Sequence, residues 1–167
     1  SIYVIKDHFF FFWFRYSFSN NAYYSILGVN ETSEIIMKDI SNHMGLVFEE
    51  ICTEFLFHMA KERKLPFIPF KIGKWWGNNP SIKAQDDVDI LAIDHTGKEA
   101  LFVECKYQSQ PMTYDEYEDL INAAQAFPEI QKKYFMFISK SGFSDSVIAK
   151  AKEQQITLYT IDDLFSF

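Results

Sequence analysis

Residues 88–106 have the sequence VDILAIDHTGKEALFVECK, in which two apolar runs flank the polar stretch Asp94-His95-Thr96-Gly97. Apolar runs of this length on either side of a short turn with Gly at its end are typical of a β-hairpin. We therefore predict strands at 88–94 and 100–107 that pair with each other.

The two predicted strands carry acidic side chains within otherwise apolar runs. Because side chains alternate between the faces of a strand, Glu104 and Lys106 share one face, while Val103 and Cys105 point into the core. Pairing brings Asp89 close to Glu104, and two carboxylates about 5 Å apart repel by roughly 3 kcal/mol. A proton, a lysine or a divalent cation can offset this repulsion. A bound Mg²⁺ takes oxygen ligands and activates water, and a nearby lysine neutralises charge on a phosphate, so the pattern favours phosphodiester hydrolysis.

Neighbouring residues offer alternative interpretations. Asp86 and Asp87 could replace Asp89, but Asp86 has the opposite parity along the strand and Asp87 lies nearer the strand end. The adjacent Trp75 and Trp76 point to opposite sides of a strand. Core packing of both is the simpler interpretation, and stacking of one on a nucleic-acid base is the alternative.

The remaining pattern predicts an α/β domain. A stripe of apolar residues at steps of three and four indicates an amphipathic helix over 41–62, with Ser41 or Asn42 as its cap. Thr113 and Glu116 form a capping box that begins a second helix. Further strands are predicted at 70–76, 133–139 and 156–161, with a turn at 77–80 and a short helix from Ser144. A hairpin followed by βαβ crossovers predicts a mixed sheet with helices on both faces.

Residues 1–40 differ from the rest of the chain because they are rich in aromatic side chains, above all at 9–18. An apolar run without a clear period cannot be assigned to helix or strand by periodicity alone. We predict that this segment is buried, or docks against a missing partner domain. It would link an upstream region to a domain at 41–167.

The charge of the chain is unevenly distributed. A net charge of −7 disfavours nucleic acid at first sight, because phosphate binding requires cations. Six Lys and Arg residues accompany one acid at 61–83, however, whereas ten acids accompany two lysines at 86–119. This arrangement fits a metal site beside a phosphate track, with a mixed solvated surface as the alternative. Lys71 and Lys74 are candidates for phosphate contact or for protection of an edge strand.

Other features argue against several protein classes. Two cysteines, Cys52 and Cys105, favour a reducing compartment over a disulfide framework, and the four histidines lack zinc-site spacing. The most apolar stretch, 9–14, is far shorter than the roughly 20 residues of a membrane span and lacks signal-peptide features. We therefore expect a cytoplasmic protein without a membrane partner.

Asp89, fourteen intervening residues and Glu104-Cys105-Lys106 resemble the D-x(n)-E-x-K signature of PD-(D/E)XK nucleases. Val88 stands where the family name places a proline. The resemblance implies a restriction-endonuclease-like α/β fold, a mixed sheet flanked by helices, here with an aromatic-rich N-terminal extension.

The same resemblance implies the site residues. Asp89 and Glu104 would hold Mg²⁺ or Mn²⁺, and Lys106 would assist the attacking water. In this family a glutamate of the first helix often completes the metal site. Of Glu49 and Glu50, we favour Glu49, because it borders the apolar stripe of the helix whereas Glu50 lies toward solvent.

A closer resemblance covers most of the chain and is carried by five segments in order. They are 10–16, GLVFE at 45–49, IGKWWG at 72–77, VDI at 88–90 and FVECK at 102–106. Together they are similar to the C-terminal domain, of unknown function, of archaeal-type AAA P-loop ATPases, which also occurs in bacteria. This implies upstream ATPase and winged-helix regions in the full-length protein. The chain itself lacks G-x-x-x-x-G-K-[ST], so we expect no ATP site in it.

Two functional hypotheses follow. The first is a Mg²⁺- or Mn²⁺-dependent nuclease domain that hydrolyses nucleic acid, with DNA as the expected substrate. The second is a catalytically inactive module of the same fold, which binds nucleic acid or a protein partner and so directs the ATPase.

Overall fold

A computed structural model describes residues 5, 7–80 and 82–166, and the chain forms two compact units, Ser1–His43 and Met44–Phe167. The helices are α1 (His8–Phe12), α2 (Asn21–Leu27), α3 (Val29–Lys61), α4 (Tyr114–Ala123), α5 (Asp145–Gln154) and α6 (Ile161–Leu164), with a π-helical segment at Trp13–Phe18 and a 3₁₀ turn at Ala124–Ala126. The strands are β1 (Lys71–Asn79), β2 (Ala84–Ile93), β3 (Glu99–Lys106), β4 (Lys132–Ser139) and β5 (Thr157–Thr160). Within the described residues, none of these helices has the length and apolar character needed to cross a membrane.

The first unit contains short helices rich in aromatic residues. Tyr16 is buried, and its hydroxyl donates to Asp39 Oδ2 at 3.1 Å. Most of the other described aromatic side chains are exposed, for example Phe9 at 68% and Phe18 at 62%. The predicted burial of this segment is therefore wrong for these side chains. Residues 1–4 and 6 lie outside the described part, and both the docking alternative and the boundary at residue 40 stay predictions.

The long helix α3 begins earlier than the sequence pattern predicts. It starts at Val29, so Ser41 and Asn42 lie inside the helix and do not cap it. The break in the helical backbone is at Gly28, which ends α2 with φ 84°, a conformation that glycine adopts without steric cost. No proline follows before Lys61, so nothing in the backbone stops the helix from extending toward its N-terminus.

The second unit is built on a five-stranded sheet with the order β1-β2-β3-β4-β5. The pairs β1–β2 and β2–β3 are antiparallel, whereas β3–β4 and β4–β5 are parallel. The hairpin between β2 and β3 is confirmed, and so are the mixed sheet with its flanking helices and the capping box of α4. The predicted turn at 77–80 is wrong in its first part, because β1 continues to Asn79, which pairs with Ala84.

Apolar side chains cover both faces of the sheet. The alternation predicted for β3 is confirmed, since Val103 and Cys105 belong to one cluster and Phe102 belongs to the other. One cluster joins α3 to the sheet through residues that include Phe48, Cys52, Leu56, Ile90, Val103 and Ile138. The other joins α4 and α5 to the opposite face through residues that include Phe102, Tyr117, Leu120, Phe137 and Val147. The helices α3 and α4 are thereby fixed on opposite faces of the sheet.

The turn between β2 and β3 is held by the Asp94 carboxylate. It accepts hydrogen bonds from the backbone N–H groups of Thr96, Lys98 and Glu99 at 3.0, 2.8 and 3.0 Å. Bonds from Glu99 and Thr96 hold the pKa of Asp94 below its ordinary value of 3.8. The stability from this carboxylate is therefore present above that value and is lost as the pH falls below it.

We expect Asp94→Ala to lower the thermal midpoint by a few degrees at pH 7, because three backbone donors lose their acceptor. The difference from the wild type should shrink at pH 3, below the ordinary pKa of Asp94, because the unfolded chain then takes up a proton that the folded protein does not bind. Thermal unfolding followed by circular dichroism measures both values. His95→Ala, in the same turn, serves as the control, and an Asp94→Ala effect of equal size at both pH values would contradict the assignment.

Candidate active site

A β-bulge sets the position of Asp89. Gly73 of β1 pairs with Leu91 of β2, and Trp75 of β1 pairs with Val88 of β2. The same interval therefore spans two residue steps on β1 and three on β2, so β2 contains one extra residue here. Such bulges re-aim side chains and often lie next to functional sites. The ladder between β2 and β3 ends one residue away, at the pair formed by Ile90 with Val103.

Beyond the end of the β2–β3 ladder, the Asp89 carboxylate connects the two strands by a side-chain hydrogen bond. Its Oδ2 accepts a hydrogen bond from the Cys105 backbone N–H at 2.9 Å. The acid of β2 is thus tied to the backbone between Glu104 and Lys106. The convergence of Asp89 with Glu104 that the hairpin predicts is therefore present in the structure.

Glu104 and Lys106 lie on the same face of β3 and contact each other. Lys106 Nζ lies 2.5 Å from Glu104 Oε1, and the Glu104 side chain is only 14% exposed. The residue between them, Cys105, is buried in the core together with Cys52. This confirms that Cys105 is a packing residue.

A second lysine joins the acids from the neighbouring strand. Lys74 Nζ lies 3.0 Å from Glu49 Oε2, 3.4 Å from Asp87 Oδ2 and 3.5 Å from Asp89 Oδ1. Glu49 reaches this point from α3, whereas Glu50 is exposed and does not line the cleft described below. The structure therefore places Glu49, and not Glu50, beside Asp89.

These side chains line a cleft of about 380 Å³ between α3, α4 and the strands β1, β2 and β3. Six carboxylates and two ammonium groups face it, so the cleft has an excess of negative charge. The lining consists of Glu49, Lys74, Ile82, Asp86, Asp87, Asp89, Glu104, Lys106, Asp119, Leu120 and Asn122.

The charge excess shifts the pKa values of the cleft residues. Burial and the charge on Asp89 together raise the pKa of Glu104 to about 7, although Lys106 opposes both. Burial and Asp89 also raise the pKa of Glu49. For Lys74 and Lys106, burial lowers the pKa, but the surrounding carboxylates outweigh this and keep both lysines protonated.

The chemistry of the cleft fits a hard divalent cation, although the acids do not form a closed ligand set. Within the described residues, no three His, Cys, Asp or Glu side chains stand close enough together to hold a metal ion. The donors available are carboxylate oxygens, which Mg²⁺ and Mn²⁺ prefer, and their charge is only partly offset. The Lys74 ammonium lies 3.0–3.5 Å from oxygens of Glu49, Asp87 and Asp89, so one positive charge already offsets part of the repulsion among these acids. The metal roles of Glu49, Asp89 and Glu104 stay predictions.

The bulge also explains which cleft residues the sequence pattern missed. Asp86 has the wrong parity in a regular strand, but the extra residue reverses the alternation, and Asp86 lines the cleft. Its Oδ2 accepts a hydrogen bond from Nδ2 of the buried Asn79 at 2.9 Å. Asp119 and Asn122 come from the polar side of α4, where nothing in the sequence separates them from ordinary solvent-facing residues.

We expect Asp89→Asn and Asp89→Ala to affect stability differently. The amide oxygen of Asn can still accept from the Cys105 N–H, whereas Ala leaves that donor unpaired at a cost of about 1–3 kcal/mol. Denaturant unfolding of both variants measures the difference. Asp87→Ala, whose side chain is 57% exposed, is the matched control and should change stability by less than about 0.5 kcal/mol. Equal stability of the two Asp89 variants would contradict a structural role for this hydrogen bond.

We expect Glu104→Gln to stabilise the metal-free protein at alkaline pH. Because the pKa of Glu104 in the folded state lies above its ordinary value of 4.5, the folded protein retains a proton that the unfolded chain has lost. Wild-type stability therefore falls as the pH rises from about 4.5 to 7, and the uncharged Gln avoids this loss. Melting curves in a chelator should show an advantage for the variant of a few degrees at pH 8 and little at pH 4.5. Glu99→Gln on the same strand is the control, and an advantage independent of pH would contradict the assignment.

Comparison with known proteins identifies two families that match the chain. Residues 78–167 match a family described as restriction endonuclease, and residues 13–120 match a family described as archaeal and bacterial proteins of unknown function. The chain is 39% identical over 106 residues to the uncharacterized protein MJECL04 of Methanocaldococcus jannaschii. That match covers 64% of this chain and 22% of the relative, so the chain spans about a fifth of the relative's length.

One solved structure supports the fold. Protein VC1899 from Vibrio cholerae matches with a TM-score of 0.51 and 14% identity, over 70% of this chain and 30% of that one. A protein of unknown function, AF1548, matches with a TM-score of 0.47 and 13% identity, over 66% of this chain and 61% of that one. Each of the two family matches covers more than half of the chain, which therefore belongs to the restriction endonuclease family and to the family of archaeal and bacterial proteins of unknown function.

Proposed function

We propose that this chain is a nuclease domain that hydrolyses phosphodiester bonds of nucleic acid with the help of Mg²⁺ or Mn²⁺, and that its substrate is DNA. The observation that carries the proposal is the convergence of Asp89, Glu104 and Lys106 in one acidic cleft of a restriction endonuclease family member. The sequence motif alone would be weak evidence, because acidic and basic residues alternate on many strands. Here a bulge and a hydrogen bond hold the motif in place.

The cleft residues have distinct roles in this proposal. Asp89, Glu104 and Glu49 would hold the cation, which supplies an activated water and neutralises charge on the phosphate. Lys106 stays protonated beside Glu104, so its Nζ can donate a hydrogen bond to a phosphate oxygen as negative charge develops. Asp89 keeps its orientation through the Cys105 N–H.

The surroundings of the cleft support nucleic acid as the partner. Trp75 packs against Phe127 with ring centroids 4.7 Å apart, whereas Trp76 is 63% exposed on the same strand as Lys74. An exposed indole beside a lysine is typical of surfaces on which bases stack. Of the two sequence interpretations, this favours core packing for Trp75 alone and leaves Trp76 available for a base.

We further propose that the domain works within a longer protein that carries upstream ATPase and winged-helix regions. The support is the resemblance of the five segments to the C-terminal domain of archaeal-type AAA ATPases. The match to protein MJECL04 covers only 22% of that relative, which is therefore a much longer polypeptide than this chain. The ATPase would position the nuclease domain on its substrate.

One observation favours the alternative of an inactive binding module. The described acids do not form a closed metal site, and Lys74 lies among three of them. An inactive module would keep salt-sensitive nucleic-acid binding, or docking to the ATPase, when the carboxylates are removed.

We expect Mn²⁺- or Mg²⁺-dependent cleavage of nucleic acid that falls by about 100-fold or more in Glu104→Gln and in Lys106→Met. The assay uses labelled single- and double-stranded DNA and RNA with each metal or with a chelator. Glu49→Gln and Glu50→Gln form a matched pair, since they change adjacent residues of α3 in the same way. Only Glu49→Gln should weaken cleavage and metal binding.

Cleavage retained in Glu104→Gln would contradict the assignment of the site. Wild-type protein that binds DNA without cleaving any substrate, and whose variants bind equally well, would support the inactive module. Equal effects of Glu49→Gln and Glu50→Gln would remove Glu49 from the site.

A further inference from the structure

Lys74 occupies an unusual position for a lysine on an edge strand. Its neighbour on β1, Lys71, extends into solvent, as lysines on sheet edges generally do. The Lys74 side chain instead turns into the cleft, where its ammonium contacts Glu49, Asp87 and Asp89 at 3.0–3.5 Å. These three carboxylates come from α3 and from two positions on β2.

This contact set differs from an ordinary surface ion pair. A surface pair joins one cation to one acid and contributes little, because both partners remain solvated. Here one ammonium is shared among three carboxylates, and the Asp89 side chain is only 11% exposed. The acids would repel one another without a cation between them, so the ammonium supplies the charge compensation that an inorganic ion would otherwise supply.

The fold also offers Lys74 a second position. Besides lining the acidic cleft, Lys74 lines a groove of about 530 Å³ along β1, together with residues that include Phe70, Ile72 and Leu91. The four-carbon stem of Lys is flexible, so the ammonium is not confined to the cleft by its covalent geometry.

We propose that Lys74 holds the cation position of the cleft in the metal-free protein, and that entry of a divalent cation releases its ammonium to bind a backbone phosphate of the nucleic-acid substrate. This inference rests on the proposed metal-dependent nuclease function. It assigns Lys74 as a substrate-positioning residue that couples the two binding events. A phosphate that holds Lys74 outside the cleft removes the competing cation, so metal and nucleic acid each strengthen the binding of the other.

The first measurement is Mn²⁺ binding by calorimetry to the wild type, Lys74→Met and Lys71→Met without nucleic acid. Both variants remove one positive charge from β1, but only Lys74 contacts the cleft acids. We expect Lys74→Met to bind Mn²⁺ at least about fivefold more tightly than the wild type, because no ammonium has to be displaced. Lys71→Met should bind like the wild type, and equal tightening in both variants would overturn the inference.

The second measurement separates displacement from a fixed nearby charge. An ammonium covered by carboxylates reacts slowly with an amine-acylating reagent, and a released one reacts faster. Mass spectrometry of the labelled wild type should show Lys74 modified several-fold faster when Mn²⁺ saturates the site, with Lys71 as the unchanged internal reference. An unchanged Lys74 rate despite bound Mn²⁺ would overturn the displacement and leave the proposed nuclease function intact.

The third measurement tests the phosphate contact. In Mn²⁺, Lys74→Met should bind a DNA oligonucleotide more weakly than the wild type, with a salt dependence reduced by about one ion. Unchanged DNA affinity and salt dependence would overturn the phosphate role. If neither the wild type nor Lys74→Met binds Mn²⁺, the metal-dependent function itself fails, and the inference fails with it.

Discussion

The structure around the cleft is governed by one electrostatic constraint, the crowding of carboxylates at one end of the sheet. Asp89 cannot move away from Glu104, because its Oδ2 accepts from the Cys105 backbone. Glu104 is fixed by the central strand β3, in which it pairs with Phe137 of β4. The backbone therefore enforces a proximity that the charges oppose. The raised pKa of Glu104 and the two lysines turned into the cleft are the physical responses to this constraint.

The position of the cleft follows from the sheet topology. β3 is antiparallel to β2 on one side and parallel to β4 on the other, so it is the strand at which the sheet changes from antiparallel to parallel pairing. The β2–β3 ladder stops at Ile90, and the bulge bends β2 at this point, which leaves room beside the end of β3. The helices α3 and α4 pack on opposite faces and bring Glu49 and Asp119 to the same opening. The apolar packing on both faces of the sheet therefore stabilises a fold in which the cleft carboxylates repel one another.

The sequence predicted the parts of this arrangement that depend on local periodicity. Alternation along β3 placed Glu104 and Lys106 on one face, the Asp94 turn placed β2 against β3, and the helical stripe favoured Glu49 over Glu50. The sequence prediction assumed a regular strand through residues 86–91, and because the bulge adds one residue there, Asp86 was assigned the wrong face. The start of α3 was missed because residues 29–40 carry no strong apolar stripe, and the direction of Lys74 depends on acids from two other elements. The burial predicted for the aromatic residues near the N-terminus failed because composition does not show which side of a helix is covered.

The acidic net charge of the chain has a different meaning once the cleft is considered. A charge of −7 argues against nucleic-acid binding only if the charges are spread evenly, whereas here six carboxylates face one cleft with two lysines. Such a cleft repels a phosphate until cations enter it, because short-range repulsion between groups of like charge is hardly screened in a partly buried site. The same carboxylates that disfavour nucleic acid in the metal-free protein would therefore become the reason for its binding after a divalent cation is bound. An acidic protein of this fold is thus consistent with a phosphodiester substrate, because binding of the substrate depends on the local charge of the cleft and not on the total charge of the chain.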